Sequence, residues 1–245
     1  MAGKQIVINC FILLLAQSGC FCTSLKYRQT CDHSDGNVLH CIGISHDIPP
    51  GIRHVIITNW MNPGATYITA STFSYDPNWQ NVNILEMDDD SENGNLVIAA
   101  NAFEGLKNLT ELHIHIVRHI TINNIAFEGS DNLKELDFND CHRLRLPDLL
   151  PALNETYTMP NLKKLMLSSI STISVELLLD DNSLRIICAR NLTHIDLSYT
   201  RMLHFNLTSV GAYCTSLEYL NITMATFLIV DFGSNHYIKP LKQLK

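Results

Sequence analysis

His113 and His115 stand two residues apart in the run Glu111-Leu-His-Ile-His115. In an extended segment side chains alternate, so both rings share one face while Leu112 and Ile114 point the other way. An imidazole beside carboxylates such as Glu111 keeps its proton to higher pH, so the pair is a candidate for a proton-dependent binding switch below neutral pH. Two further groups carry residue types with chemical potential. Cys31, His33, His40 and Cys41 are zinc-type donors, but their spacing matches no usual finger. Asp88-Asp89-Asp90 could attract calcium, yet it lacks the spacing of a recognised calcium loop and reads as a solvated strand end. No metal site and no cofactor are expected. The chain also has no His-Glu-x-x-His, no Gly-x-Ser-x-Gly and no phosphate-cradling glycine loop, so it is not expected to be an enzyme.

What must position these residues is a repeat. Ala102-Phe-Glu-Gly-Leu-Lys-Asn-Leu-Thr-Glu-Leu112 returns 24 residues later as Ala126-Phe-Glu-Gly-Ser-Asp-Asn-Leu-Lys-Glu-Leu136, with eight of eleven positions identical. That period falls in the range of leucine-rich repeats. The pattern Leu-x-x-Leu-x-Leu extends both ways, as Ile52-Val55-Ile57, Val82-Leu85-Met87, Leu109-Leu112-Ile114, Leu133-Leu136-Phe138, Leu162-Leu165-Leu167, Leu192-Ile195-Leu197 and Leu217-Leu220-Ile222. One strand with its return segment cannot bury its own apolar edge, so each repeat must stack on the next. The expected fold is an α/β solenoid, a leucine-rich-repeat horseshoe with a parallel concave sheet and an irregular convex side. Phe73, Phe103 and Phe127 should fill the interior from the return segments.

The ends of the chain carry their own signals. Residues 1–24 read as a signal peptide, because the apolar run Ile6 to Ala16 follows Lys4 and is too short to cross a bilayer. Residues 25–51 read as an N-terminal cap, with Cys31 and Cys41 expected to form a disulfide that shields the first coil's apolar end. About seven repeats then occupy 52–245, and Leu241-Lys-Gln-Leu244 begins another, so a longer chain is expected. A secreted chain gives meaning to the Asn-x-Ser/Thr acceptors Asn108, Asn154, Asn191, Asn206 and Asn221. Cys188 and Cys214 occupy comparable places in adjacent repeats and could pair or remain separate thiols. The net charge of −7 repels nucleic-acid phosphates on average.

The leader, the two-cysteine cap running into Ile48-Pro-Pro-Gly-Ile52, and repeats of the form Ile-x4-Phe-x-x-Leu-x-x-Leu-x-x-Leu-x-Leu together resemble the extracellular region of Toll-like receptors. Secreted and membrane-bound relatives with the same repeat look similar. The resemblance implies a receptor ectodomain fragment in innate immunity, binding a protein or microbial ligand on its concave face or edge and pairing with another chain. The alternative is a secreted leucine-rich-repeat protein for adhesion, matrix interaction or decoy binding. The family's usual asparagine at the ninth motif position is replaced by Asp90, Val117, Cys141, Ile170, Thr200 and Ala225, so an internal asparagine ladder is expected to be largely missing. On the concave face, one outward row should hold Glu86, His113, Asp137, Met166, Asp196 and Asn221. A second should hold Ile84, Glu111, Glu135, Lys164, His194 and Tyr219, with Ile84 in the row only if its irregular strand is not shifted. The ligand candidates are Glu86, Glu111, His113, His115, Glu135, Asp137, Lys164, His194, Asp196 and Tyr219. Their mainly acidic character favours a cationic or hydrogen-bonding partner. A glycan on Asn221 would stand on this same face and push binding towards earlier strands.

Overall fold

The structure, a computed structural model, describes residues 30–61, 64–89, 94–154, 159–170, 177–231 and 243–244. The expected leader at 1–24 lies outside these residues. Strands β1 (Thr30–Asp35) and β2 (Val38–Ile42) are followed by β3 (His54–Thr58), β4 (Gly64–Ile68), a 3-10 turn (Pro77–Asn81), β5 (Ile84–Asp88) and β6 (Gly94–Ile98). Next come β7 (Glu111–His115), β8 (His119–Ile122), β9 (Glu135–Asp137), helix α1 (Leu146–Asn154), β10 (Lys164–Met166) and β11 (Leu177–Leu178). The rest is α2 (Asp181–Cys188), β12 (His194–Asp196), β13 (Arg201–Asn206), α3 (Leu207–Tyr213), β14 (Tyr219–Asn221), β15 (Thr226–Asp231) and β16 (Gln243–Leu244).

A ten-stranded sheet runs β1-β2-β3-β5-β7-β9-β10-β12-β14-β16. All seven strands expected from the leucine pattern lie in it, paired in parallel with their neighbours in the next coil. Strand β16 pairs with β14 through Tyr219↔Gln243 and Leu220↔Leu244, so an eighth coil begins where the pattern restarts. The cap is joined to the repeats more closely than its sequence suggests. Its β1–β2 hairpin is antiparallel, but β2 pairs in parallel with β3 and so becomes a strand of the same sheet. Asp76 tightens this junction, its carboxylate accepting from Ile48 N at 2.7 Å while Asn78 donates to Ile48 O at 2.8 Å.

The motif leucines are buried because alternate residues of each strand face the return segments. Phe73, Phe103 and Phe127 form a column in that interior, all fully buried, with centroids 6.0 and 5.6 Å apart and nearly parallel, stacked rings. Trp79 closes one end edge-on to Phe73 at 4.8 Å, an arrangement the aromatic quadrupole favours. The return segments carry regular elements of more than one kind. Among the described residues they form two three-stranded sheets, β4-β6-β8 and β11-β13-β15, and three helices. The change of style follows from the sequence: after Phe127 the repeats lack a column phenylalanine. Leu149 and Leu153 of α1, Leu184 and Ile187 of α2, and Leu207 and Val210 of α3 fill the space instead.

Side-chain ladders also hold the coils in register. The ninth motif position is not wholly without donors, since Cys141 Sγ donates to Ile114 O at 3.1 Å and Thr200 Oγ1 to Leu167 O at 3.1 Å. Each acceptor is the third apolar residue of the preceding strand. An asparagine ladder does exist, one residue before the first strand leucine. Asn108, Asn132 and Asn161 each donate Nδ2 to a carbonyl of the previous coil, respectively Gln80, Lys107 and Asp131, at 2.8 Å. Ser216, the counterpart in a later coil, donates to Asn191 Oδ1 at 3.2 Å.

Candidate functional site

The outward face of the ten-stranded sheet carries both expected rows in register. Glu86 stands opposite His113, His113 opposite Asp137, Asp137 opposite Met166, Met166 opposite Asp196, and Asp196 opposite Asn221. Ile84 pairs with Glu111, so its strand is not shifted and Ile84 belongs to the second row. That row continues through Glu135, Lys164, His194 and Tyr219. A third, shorter row contains Asp88 opposite His115.

The candidates are not equivalent once their contacts are seen. Asp137 and Asp196 are buried, and each turns the chain at the end of its strand by accepting the backbone N–H two residues on, from Asn139 and Ser198, at 2.8 Å. Asn221 does the same for Thr223 N at 3.0 Å while donating to Asp196 at 2.9 Å. This side-chain turn is a local alternative to a backbone turn. Other members pair off across strands. Glu86 contacts His54 Nε2 at 2.8 Å, and Glu135 accepts from Lys164 Nζ at 2.7 Å, which raises the lysine's pKa. His194 stacks on Tyr219 with centroids 5.5 Å apart. The acidic face is therefore partly neutralised from β9 onward, and its charge concentrates around β5 to β9.

There the two histidines meet the carboxylates. His115 lies 3.1 Å from Asp88 Oδ1 through Nδ1 and 3.2 Å from Asp137 Oδ2 through Nε2. His113 lies 3.9 Å from Asp137 Oδ2 through Nδ1 and 3.7 Å from Glu111 Oε2 through Nε2. Burial opposes a charge on His115, but contact with Asp137 and the fields of Asp88 and Glu86 outweigh it and raise its pKa. The rings are 5.8 Å apart. Immediately beyond them Ile116 adopts φ +62°, a left-handed conformation that strains a β-branched residue. Asp140, Ser169, Tyr199 and Met224 are left-handed at the same repeat position.

The expected Cys31–Cys41 disulfide is present in the cap, and Cys188 and Cys214, left open by the sequence, form a second disulfide between adjacent coils. The first removes the thiolates a zinc site at Cys31, His33, His40 and Cys41 would need. In the acidic run, Asp89 is buried and accepts from Met61 N at 2.6 Å rather than facing solvent, while Asp90 lies outside the described residues. Among the glycan acceptors, Asn108, Asn154 and Asn191 are exposed. Asn206 is half-buried and caps α3 through its oxygen, accepting from Ser209 N at 3.0 Å and leaving its nitrogen available. Asn108 uses the very nitrogen a glycan would occupy, so modification leaves one N–H for the Gln80 carbonyl. Sequence reasoning missed the asparagine ladder, although Asn81, Asn108, Asn132, Asn161 and Asn191 precede five successive strand motifs and were the available signal.

The parallel sheet, stacked repeats and cap define a leucine-rich-repeat fold. No family model matches the sequence, and no curated relative matches it. Solved structures do. Human 5T4, also called Wnt-activated inhibitory factor 1 or trophoblast glycoprotein, aligns with a TM-score of 0.64 at 23% identity, covering 83% of this chain and 73% of that one. TLR13, crystallised in a complex with ssRNA13, aligns with a TM-score of 0.55 at 20% identity over 80% of this chain and 24% of that one. This chain thus spans about a quarter of TLR13, and both likenesses are likenesses of fold. No helix among the described residues is long and apolar enough to cross a membrane.

Proposed function

We propose that this chain is an extracellular binding module that presents the outward face of its ten-stranded sheet to a partner, as part of a Toll-like pattern-recognition receptor in innate immune signalling. The observation that carries the binding reading is the in-register alignment of polar and charged residues along Glu86, His113, Asp137 and Asp196, and along Glu111, Glu135, Lys164, His194 and Tyr219. A face kept only for solubility would not need paired carboxylates and imidazoles shielded from solvent. Acidic charge around β5 to β9 favours a basic or hydrogen-bonding protein surface over a polyanion, so the RNA of the TLR13 complex is not carried over. The resemblance of cap and repeats to Toll-like receptors supports the receptor reading. The likeness of fold to 5T4 fits a second reading as well, a secreted or adhesion-type leucine-rich-repeat protein.

The two readings separate on the full-length transcript. A cysteine-rich C-terminal cap, an apolar span of about 20 residues and a cytoplasmic signalling domain are expected for the receptor. A stop shortly after the cap would overturn it in favour of the secreted module. The binding face is tested by charge reversal at Glu111 and Glu135, which should abolish capture of the chain by cells that otherwise retain it. Unchanged capture would move the interface elsewhere.

A further inference from the structure

We propose that His113, His115 and Asp137 form a binding site for a divalent transition-metal ion of the zinc class on the outward face of the ten-stranded sheet. The proposal departs from the sequence expectation of no metal, and it stands independently of the partner-binding reading. One ring nitrogen of each histidine and one Asp137 oxygen lie within 4.8 Å of one another, and no other such group occurs among the described residues. The donors come from adjacent coils, since His113 and His115 are on β7 and Asp137 is on β9. Histidine nitrogen and carboxylate oxygen are the donor types zinc accepts.

The distances favour an ion over direct contact. In a tetrahedral site with bonds of about 2.0–2.1 Å, ligand atoms sit about 3.3 Å apart. His115 Nε2 and Asp137 Oδ2 are already 3.2 Å apart, and His113 Nδ1 at 3.9 Å needs to close by roughly half an ångström to meet that edge. Yet His113 Nε2, His115 Nε2 and Asp88 Oδ1 are shut off from solvent and have no hydrogen-bond partner. The 3.2 Å approach of His115 Nε2 to Asp137 is close in distance but wrong in angle for a hydrogen bond. Buried polar atoms left in this state are costly, and a bound cation satisfies the nitrogen that faces Asp137.

The surroundings fit the same assignment. With Nε2 of His115 facing Asp137, its Nδ1 faces Asp88 at 3.1 Å; with Nδ1 of His113 facing Asp137, its Nε2 faces Glu111 at 3.7 Å. Each imidazole thus has a carboxylate behind it, the arrangement that orients metal-bound histidines and strengthens them as donors. Asp137 itself is held by Asn139, whose N–H occupies Oδ1 at 2.8 Å and whose side chain donates to Oδ2 at 3.2 Å, leaving Oδ2 a lone pair for the metal. Glu86, Asp88, Glu111 and Asp137 gather negative charge that a divalent ion offsets. Three protein ligands leave a coordination position open towards the outward face, where water or a partner's carboxylate or imidazole completes the shell.

The test is zinc binding to the tag-free, metal-stripped secreted protein, followed by isothermal titration with Zn²⁺ alone at neutral pH. One zinc per chain is expected. His113→Ala and His115→Ala should each weaken it by about 10–100-fold or more, whereas His54→Ala, on the same face but outside the cluster, should leave it unchanged. Far-ultraviolet circular dichroism of each variant separates lost ligands from lost fold, because both rings are partly exposed and their removal opens no core cavity. Equal affinity in all four proteins, or no saturable binding, would overturn the proposal. Zinc bound at the cluster with no recognised partner would retain it while removing the partner-binding reading.

Discussion

At the scale of single residues, the chain places two unusual groups beside the histidine pair. Burial pushes the Cys141 thiol up to about 12; a backbone hydrogen bond opposes it, and the smaller fields of Asp137, Asp140 and Asp88 add to the rise. A thiol is nucleophilic only as thiolate. In native protein at pH 8 the Cys141 peptide should therefore escape iodoacetamide, and it should be labelled in guanidinium; prompt native labelling would show that the coil opens. Ile116 is left-handed and 47% exposed, so its side chain contributes little burial while its backbone is strained. Asparagine tolerates that conformation, so Ile116→Asn is expected to raise stability by about 1 kcal/mol in urea melts. A loss would mean that the isoleucine side chain makes a compensating contact.

At the scale of elements, close approach between coils is the limiting condition. A Cβ on Gly105 would lie 2.4 Å from Phe73 O and 2.7 Å from its carbonyl carbon, so the return segments can stack only with glycine there. Gly105→Ala should cost about 1–3 kcal/mol as an overpacking change, measured as a lower melting midpoint, and an unshifted midpoint would refute the contact. Helix α2 begins with Asp180, which accepts from both the Ser183 hydroxyl and the Ser183 N–H. The hydroxyl bond, then the N–H bond, lowers the aspartate pKa. A lowered folded-state pKa makes this contribution complete above the unfolded value and removes it as pH falls through the folded one. Asp180→Ala should cost about 1 kcal/mol at pH 7, and the difference from the parent should shrink as pH falls below the ordinary aspartate range. A difference that persists in acid would assign the effect to packing. The leucine strands and the phenylalanine column were legible because a 24-residue period repeats both. The small return sheets were not, since β4, β6 and β8 share only short segments such as Gly64–Ile68 and Gly94–Ile98 that pair across coils rather than announce themselves locally.

At the scale of the whole molecule, a solenoid is stabilised by contacts between neighbours in sequence. The Cys188–Cys214 disulfide links α2 to the end of α3 across one coil, with a sequence separation of 26. Replacing both cysteines with alanine should cost about 2–4 kcal/mol. Hydrogen exchange should place the lost protection in residues 177–231, because the phenylalanine column stabilises the earlier coils separately. Loss spread evenly over the chain would instead show a single cooperative unit.

The sequence by itself determined the repeat, its seven strands, the rows that face outward and the cap disulfide, because the alternation of a strand and the period of a coil are local rules; the Cys188–Cys214 pair was left open and only the structure decided it. Tertiary structure decided what those rows do. Only stacking β5, β7 and β9 in register brings Asp88 and Asp137 around His113 and His115, and only the turn at each strand end commits Asp137, Asp196 and Asn221 to the backbone. It also converted a missing ninth-position asparagine into bonds from Cys141 and Thr200, and placed the true asparagine ladder nine positions earlier. Such contacts join residues 25 to 33 positions apart, a distance at which residue type constrains chemistry but cannot specify the partner.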